Sequence, residues 1–327
     1  MIIDWEHHYL PEELLLKKGG KKGEKTIFYE HGKPRGDLNP ELADVEEHLR
    51  VMDAVGIDVA VLSMAVTSDD TQVALEECIV WDDRTAEVVM RYPKRFVGLA
   101  PIPPLGGEKA FDELKRAIEV LGLKGVVIRS QADGLSMDNK DLYPFYEMVS
   151  TLKVPIFIHP SGVQQGFSIL DAPYDLNRSI GRELDLIVAT TRLILSGVLD
   201  DFSDLKFVIS HKGGGIAALK ERIEVHFGST GSPVTRKTFT RNRLPFDQCL
   251  NKLYFNLAGH QGGMNSVRCT LTGISPKRLV FGTDYPQHFR EDPMKIKTFI
   301  ENISKLKIGE KSKKAILGDN ARELLGL

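Results

Sequence analysis

Eight short apolar runs, each followed by a longer stretch of helical character, constrain this chain more than any other feature. They fall at 1–4, 58–63, 95–99, 124–129, 155–159, 205–211, 253–257 and 277–282. Continuous apolar runs of this length predict strands buried on both faces, as in a parallel sheet. Between them, residues 40–55 place Leu42, Val45, Leu49 and Met52 at helical spacing and stop at Gly56, and residues 108–121 stop at Gly122. A glycine just past the last periodic residue is a helix stop signal. Residues 177–199 are long enough for a major helix. Strands alternating with helices eight times predict an α/β fold, a (β/α)8 TIM barrel. The competing doubly wound open sheet lacks its usual support, a glycine-rich phosphate turn after the first strand.

The 327 residues suit a single barrel domain, 1–327. Residues 12–39 break the alternation with a run of lysines between Lys17 and Lys25, followed by Thr26 to His31. They predict an inserted loop or hairpin, and an insertion after the first strand of a barrel lies at the active-site mouth. The lysine run reads as a solvated loop. A formal net charge of -2 argues against nucleic acid or a membrane surface as partner. No charged, apolar leader opens the chain and no apolar run is long enough to span a bilayer. Cys78, Cys249 and Cys269 are odd in number and widely spaced, which fits a reducing cytoplasm.

Chemistry gathers at the strand ends. On an extended strand Glu6 and His8 leave the same face while His7 leaves the other. A carboxylate and an imidazole a few ångströms apart make half of a divalent-metal site. The fifth strand ends in His159, the sixth in His211 followed by Lys212 and three glycines, and the eighth in Asp284. Taken singly, a strand-end histidine is a hydrogen-bonding group and an aspartate after Gly-Thr is a helix cap. Their recurrence at one end of strands one, five, six and eight points instead to a shared metal centre.

With these residues in place, the chain resembles the metal-dependent decarboxylase branch of the amidohydrolase superfamily. That branch includes the aminocarboxymuconate-semialdehyde and γ-resorcylate decarboxylases. The matching pieces are Ile3-Asp4-x-Glu6-x-His8, Ile158-His159-Pro160, Ser196-Gly197-Val198-Leu199, Ser210-His211-Lys212-Gly213-Gly214 and Gly282-Thr283-Asp284-Tyr285-Pro286. The resemblance implies that Glu6, His8, His159 and Asp284 ligate one divalent metal ion, Zn or Mn, with His211 and Asp284 catalytic. Binuclear relatives need a carboxylated lysine at the end of strand four, where this chain has Arg129. Many hydroxybenzoate decarboxylases carry a glutamate three residues after the strand-six histidine, and here that position is Gly214.

The reaction implied is non-oxidative decarboxylation of an aromatic or unsaturated acid, with a proton reaching the carboxylate-bearing carbon from Asp284 or His211. A small anionic substrate needs a cationic partner, and Arg222 and Arg35 are the candidates. Phe167, Tyr285 and His288 are expected in the pocket wall. The rival on the same scaffold is a hydrolase or hydratase, acting through metal-bound water on a small lactone, ester or amide. A non-catalytic binding protein is the lesser alternative. The resemblance also implies a homodimer or higher homo-oligomer.

Overall fold

A computed structural model of the chain describes residues 1–30, 33–65, 68, 70–132, 134–161, 170, 174, 176–227, 240–259 and 261–327, with the backbone alone at 30 and 33–35. Its principal strands in chain order are β1 (Ile3–His8), the hairpin strands β2 (Thr26–Glu30) and β3 (Lys33–Leu38), β4 (Val59–Ser63), β5 (Phe96–Gly98), β6 (Ala100–Pro101) and β7 (Val126–Arg129). A short antiparallel pair follows, β8 (Gln131–Ala132) with β9 (Leu135–Ser136). Then come β10 (Ile156–His159), β11 (Phe207–Ile209), β12 (Tyr254–Asn256) and β13 (Leu279–Val280).

Two parallel sheets carry the architecture, in the orders β1-β4-β5 and β13-β12-β11-β10-β7-β6. Only Leu99 separates β5 from β6. At the other margin, Trp5 N donates to Phe281 O at 2.9 Å, Asp284 N to Glu6 O at 2.8 Å, and His8 N to Tyr285 O at 2.7 Å. The first strand and the segment after the last are therefore joined by backbone hydrogen bonds. This junction fixes Asp284 beside Glu6 and His8.

The strand residues sort into two buried clusters, as sheets covered on both faces require. Along β10, Ile156 and Ile158 join the larger cluster while Phe157 joins the smaller. The smaller cluster takes Ile3, Trp5, Val61, Val127, Phe157, Val208, Tyr254 and Val280, drawn from seven strands. Their burial, at roughly 1.5–3 kcal/mol per large apolar side chain, anchors the strands whose last residues form the site.

The helices start and stop where local chemistry dictates. Asp44 caps the helix Val45–Val55 by accepting from Glu47 N at 3.0 Å, and Gly56 ends it in the left-handed region. Asp70 caps Thr71–Arg91 by accepting from Gln72 N and Val73 N. The long helix expected over 177–199 is divided: a turn at Asn177–Gly181 leads into Arg182–Leu195, and Gly197, at φ +90°, separates a short piece, Val198–Asp201. No described helix is long and apolar enough to cross a membrane.

Candidate active site

The site begins with an irregularity in β1. Trp5 packs in the smaller apolar cluster, edge-on to Phe157, yet Glu6 turns to the same side. Regular strand alternation forbids that for consecutive residues. The register against β4 shifts by one between Asp4 and His7. This bulge supplies the change of phase, so the strand fills the core with Trp5 and still delivers Glu6 and His8 inward.

Glu6 is wholly buried. Ser210 Oγ, after β11, lies 2.8 and 3.0 Å from its two carboxylate oxygens and donates to them, and Asn256 Nδ2, on β12, donates as well. The same Asn256 accepts through Oδ1 from the His211 and Ala258 backbone N–H groups, which fixes its orientation. Burial pushes the Glu6 carboxyl above its ordinary pKa; His211 acts in the opposite direction.

Both imidazoles expected to bind metal are set for coordination through Nε2. His8 Nδ1 donates to Ser63 O at 3.1 Å, and His159 Nδ1 donates to Pro160 O at 3.0 Å. Holding one ring nitrogen as donor leaves the other as a lone-pair ligand. His8 Nε2 lies 3.7 Å from Glu6 Oε1 and 2.9 Å from Asp284 Oδ1, and His159 Nε2 lies 3.6 Å from Glu6 Oε1. The ligand atoms of Glu6, His8 and His159 all lie within 4.8 Å of one another, as do those of Glu6, His211 and Asp284. Two buried carboxylates facing directed imidazoles are costly without a neutralising cation, and mixed N/O donors suit a borderline divalent ion. The residues fit the metal that the sequence implies.

His211 opens a left-handed turn: its φ is 47°, and Lys212 to Gly215 all have positive φ. Side chains disfavour this region, so three glycines in succession have a structural reason and His211 and Lys212 are strained. A Cβ on Gly214 would lie 2.0 Å from Glu183 O, and one on Gly259 would lie 2.3 Å from the His211 ring. The missing side chains let the helix Arg182–Leu195 approach on one side and the ring lie against backbone on the other. Glu183, on that helix, places Oε1 2.9 Å from His211 Nδ1. Nε2 of the same ring lies 3.5 Å from Asp284 Oδ2 and 3.8 Å from Glu6 Oε1. Burial opposes charge on His211, but Asp284, Glu183 and Glu6 outweigh it and raise its pKa to about 10. Burial opposes charge on Asp284 too, yet His288, His211 and His8 hold its carboxyl well below the ordinary carboxylate range.

The remaining expectations divide. His288 reaches the site, with Nδ1 3.1 Å from Asp284 Oδ2. It lines a cavity of about 290 Å³ together with His8, His159, His211 and Asp284. Tyr285 does not line that cavity; its ring is buried against His7 and His48. Arg222 is exposed on Lys220–Phe227, a helix that buries none of its residues, and is also absent from the cavity lining. Phe167 and the Arg35 side chain lie outside the described residues.

Sequence reasoning missed Ser210, Asn256 and Glu183. Alternation could have found the first two, since each lies two residues beyond an inward apolar residue, Val208 or Tyr254. Nothing local marks Glu183, whose partner lies 28 residues away.

A family model described as Amidohydrolase matches residues 3–327. The chain is 28% identical to a 2-amino-3-carboxymuconate-6-semialdehyde decarboxylase of Dictyostelium discoideum, over 99% of this chain and 91% of that protein. It is 28% identical to a gamma-resorcylate decarboxylase of Polaromonas sp. strain JS666, over 99% of this chain and 98% of that protein. Among solved structures, a dihydroxybenzoic acid decarboxylase from Polaromonas sp. JS666, with bound manganese and the inhibitor 2-nitroresorcinol, superposes with a TM-score of 0.80. It is 25% identical and the match covers 100% of this chain and 97% of that one.

Proposed function

Because this chain belongs to the amidohydrolase family, we propose that it is a metal-dependent non-oxidative decarboxylase of an aromatic or unsaturated carboxylic acid. The observation that carries this reading is the convergence of two buried carboxylates, Glu6 and Asp284, with two Nε2-directed imidazoles beside His211. Two curated relatives matched over nearly the whole chain are decarboxylases, while a 2-keto-4-carboxy-3-hexenedioate hydratase matched over the same span is 26% identical, and one solved neighbour holds manganese. We read the fold as one closed (β/α)8 barrel with the β2–β3 hairpin inserted near the site. The three backbone bonds between β1 and residues 281–285 support closure.

Glu6, His8, His159 and Asp284 would hold the ion, Zn or Mn. When bound, the divalent cation supplies Lewis-acid neutralisation of anionic oxygens. The chain's own residues do the rest. The Glu183 carboxylate at Nδ1 favours the imidazolium form of His211, which leaves its Nε2–H as the proton donor. That proton adds to the carbon bearing the carboxylate. The carbon–carbon bond to the carboxylate then breaks, its electron pair restores conjugation, and carbon dioxide departs. Asp284, held ionised, is the weaker candidate for proton donor and takes a ligating and orienting role. Ser210 and Asn256 keep the Glu6 carboxylate from rotating as charge shifts.

The family resemblance supports a homodimer or higher homo-oligomer. The free thiols at Cys78, Cys249 and Cys269 support a cytoplasmic location. Carbon dioxide release from a panel of hydroxybenzoates and muconate analogues tests the reaction: release with one proton taken up per turnover supports it. Hydrolysis of esters or lactones without any carbon dioxide would replace it with the hydrolase reading.

A further inference from the structure

Beyond the metal-competent cluster, the lining of the cavity divides by chain origin. Arg129 ends β7, and Arg178 and Arg182 come from the turn and helix that start at Asn177. The large apolar side chains come from elsewhere: Leu10 after β1, Met64 after β4, and Phe28, Leu38 and Leu42 from the inserted hairpin and the turn behind it. β1 and β4 pair side by side, and Leu10 N donates to Leu42 O at 2.9 Å. Leu10, Leu38 and Leu42 are buried in the larger cluster, and Phe28 and Met64 pack against it while staying partly exposed.

Register puts these two side chains at the site. His8 pairs with Ser63 across β1 and β4, so Met64 leaves its strand one residue beyond a metal-competent imidazole. On β2, Ile27 and Tyr29 are exposed on the outer face, and Phe28 between them turns to the cavity. The cross-strand partner of Phe28 is Gly36. A Cβ on Gly36 would meet nothing nearer than the Arg182 guanidinium, at 3.9 Å. The glycine therefore leaves open space beside the Phe28 ring, as strand glycines do where a ligand approaches closely. Side chains fasten the hairpin to the segment after Asp284: Gln287 Nε2 donates to Asp37 O at 3.0 Å, and Asn39 Nδ2 donates to Gln287 Oε1 at 2.8 Å. Lys18 Nζ, 5.6 Å from the Phe28 ring centroid, lies 2.6 Å from Glu77 Oε2, so a carboxylate meets its charge.

We propose that the substrate is an aromatic acid whose ring carries a short apolar substituent, and that Phe28 and Met64 receive that substituent beside Gly36. Apolar walls gain free energy when a ligand's apolar part displaces water from them. An aromatic ring and a flexible thioether suit a flat hydrocarbon with a small side group. A hydroxyl or carboxylate in the same place would lose its water and find no hydrogen bond from these side chains. The proposal rests on the decarboxylase reading for the acid that reacts, and on this wall alone for the substituent.

Calorimetric titration of the metal-loaded protein with salicylates bearing hydrogen, methyl, ethyl, propyl or hydroxyl at each open ring position tests it. Burying one methylene is worth about fourfold in affinity. At one ring position, affinity should therefore rise about fourfold from hydrogen to methyl and again to ethyl, while hydroxyl brings no gain. Phe28→Ala and Met64→Ala should each lose a large part of that rise. Gly36→Val, which fills the open space, should abolish the ethyl gain and make propyl bind worse than methyl. Affinity that is flat or falls from hydrogen to ethyl at every position overturns the inference, as does no binding by any member of the series. A rise that survives all three substitutions also overturns it. Carbon dioxide release, measured on the same acids, separates the two readings. A substituent gain without release removes the decarboxylase and leaves the role of the wall standing. Release without any substituent gain does the reverse.

Discussion

Glu183 Oε1 lies 2.9 Å from His211 Nδ1, so a helix residue orients the histidine that ends the sixth strand run. In many hydroxybenzoate decarboxylases the orienting glutamate follows that histidine by three residues, the position of Gly214 here. We expect Glu183→Gln to lower kcat by roughly 10–100-fold, the usual cost of losing a partner that orients a catalytic ring. Metal content and KM should change little, and Glu183→Asp should recover part of the rate. Steady-state kinetics with metal analysis checks this; an unchanged kcat would assign the contact to packing alone.

Gly214 makes that contact possible. A side chain there would drive a Cβ to 2.0 Å from Glu183 O, on backbone already at φ +67°. Gly214→Glu should therefore not transplant the glutamate of the relatives but destabilise the protein. Backbone strain and overpacking together cost about 3 kcal/mol or more. Thermal unfolding should shift down by roughly 5 °C or more. A variant with undiminished melting temperature would show that the helix and the turn can separate freely.

Lys212 is buried beside the site, its Nζ donating to Ala258 O at 2.6 Å and Leu257 O at 3.3 Å. Burial pushes its pKa from 10.5 down to about 8, with Glu183, Glu6 and Asp284 opposing. Below pH 8 both folded and unfolded chains are protonated, and folding carries the full cost of burying the charge. Between about 8 and 10.5 the unfolded chain binds more protons, so this residue's contribution to stability rises with pH. The gain is roughly 3 kcal/mol across the window. Urea unfolding at its two ends should show a larger increase for the unaltered protein than for Lys212→Met; parallel behaviour would contradict the assignment.

Asp4 ties the first strand to the segment after the last. Its carboxylate accepts from Thr283 N at 2.8 Å, from Thr283 Oγ1, and from His7 Nδ1 at 2.8 Å, all in the buried interior. Asp4→Ala should cost roughly 3–5 kcal/mol, since it leaves buried donors without an acceptor. It should also loosen metal binding, because Asp284 follows Thr283 directly. Chemical unfolding and metal affinity measured together check both halves.

The sequence makes the strand ends legible because ligand chemistry is confined to a few residue types and strand periodicity gives their direction. Glu6, His8, His159, His211 and Asp284 could be singled out for that reason. The bulge at Trp5 and Glu6 could not, since register depends on the neighbouring strand. The four-residue spacing of Arg178 and Arg182 is visible, but which way their face turns depends on how the helix docks. Arg222 matches a spacing and lies exposed, so spacing alone did not bring it to the cavity. Tyr285 shows the same limit: one residue after Asp284, it points behind the site.

Metal stoichiometry tests the central claim most directly. Protein purified after growth with zinc or manganese should hold close to one divalent ion per chain by mass spectrometry, and His159→Ala, with folding verified by circular dichroism, should lose most of it. A folded native protein without bound ion, or a His159→Ala variant that retains the full complement, would contradict the account.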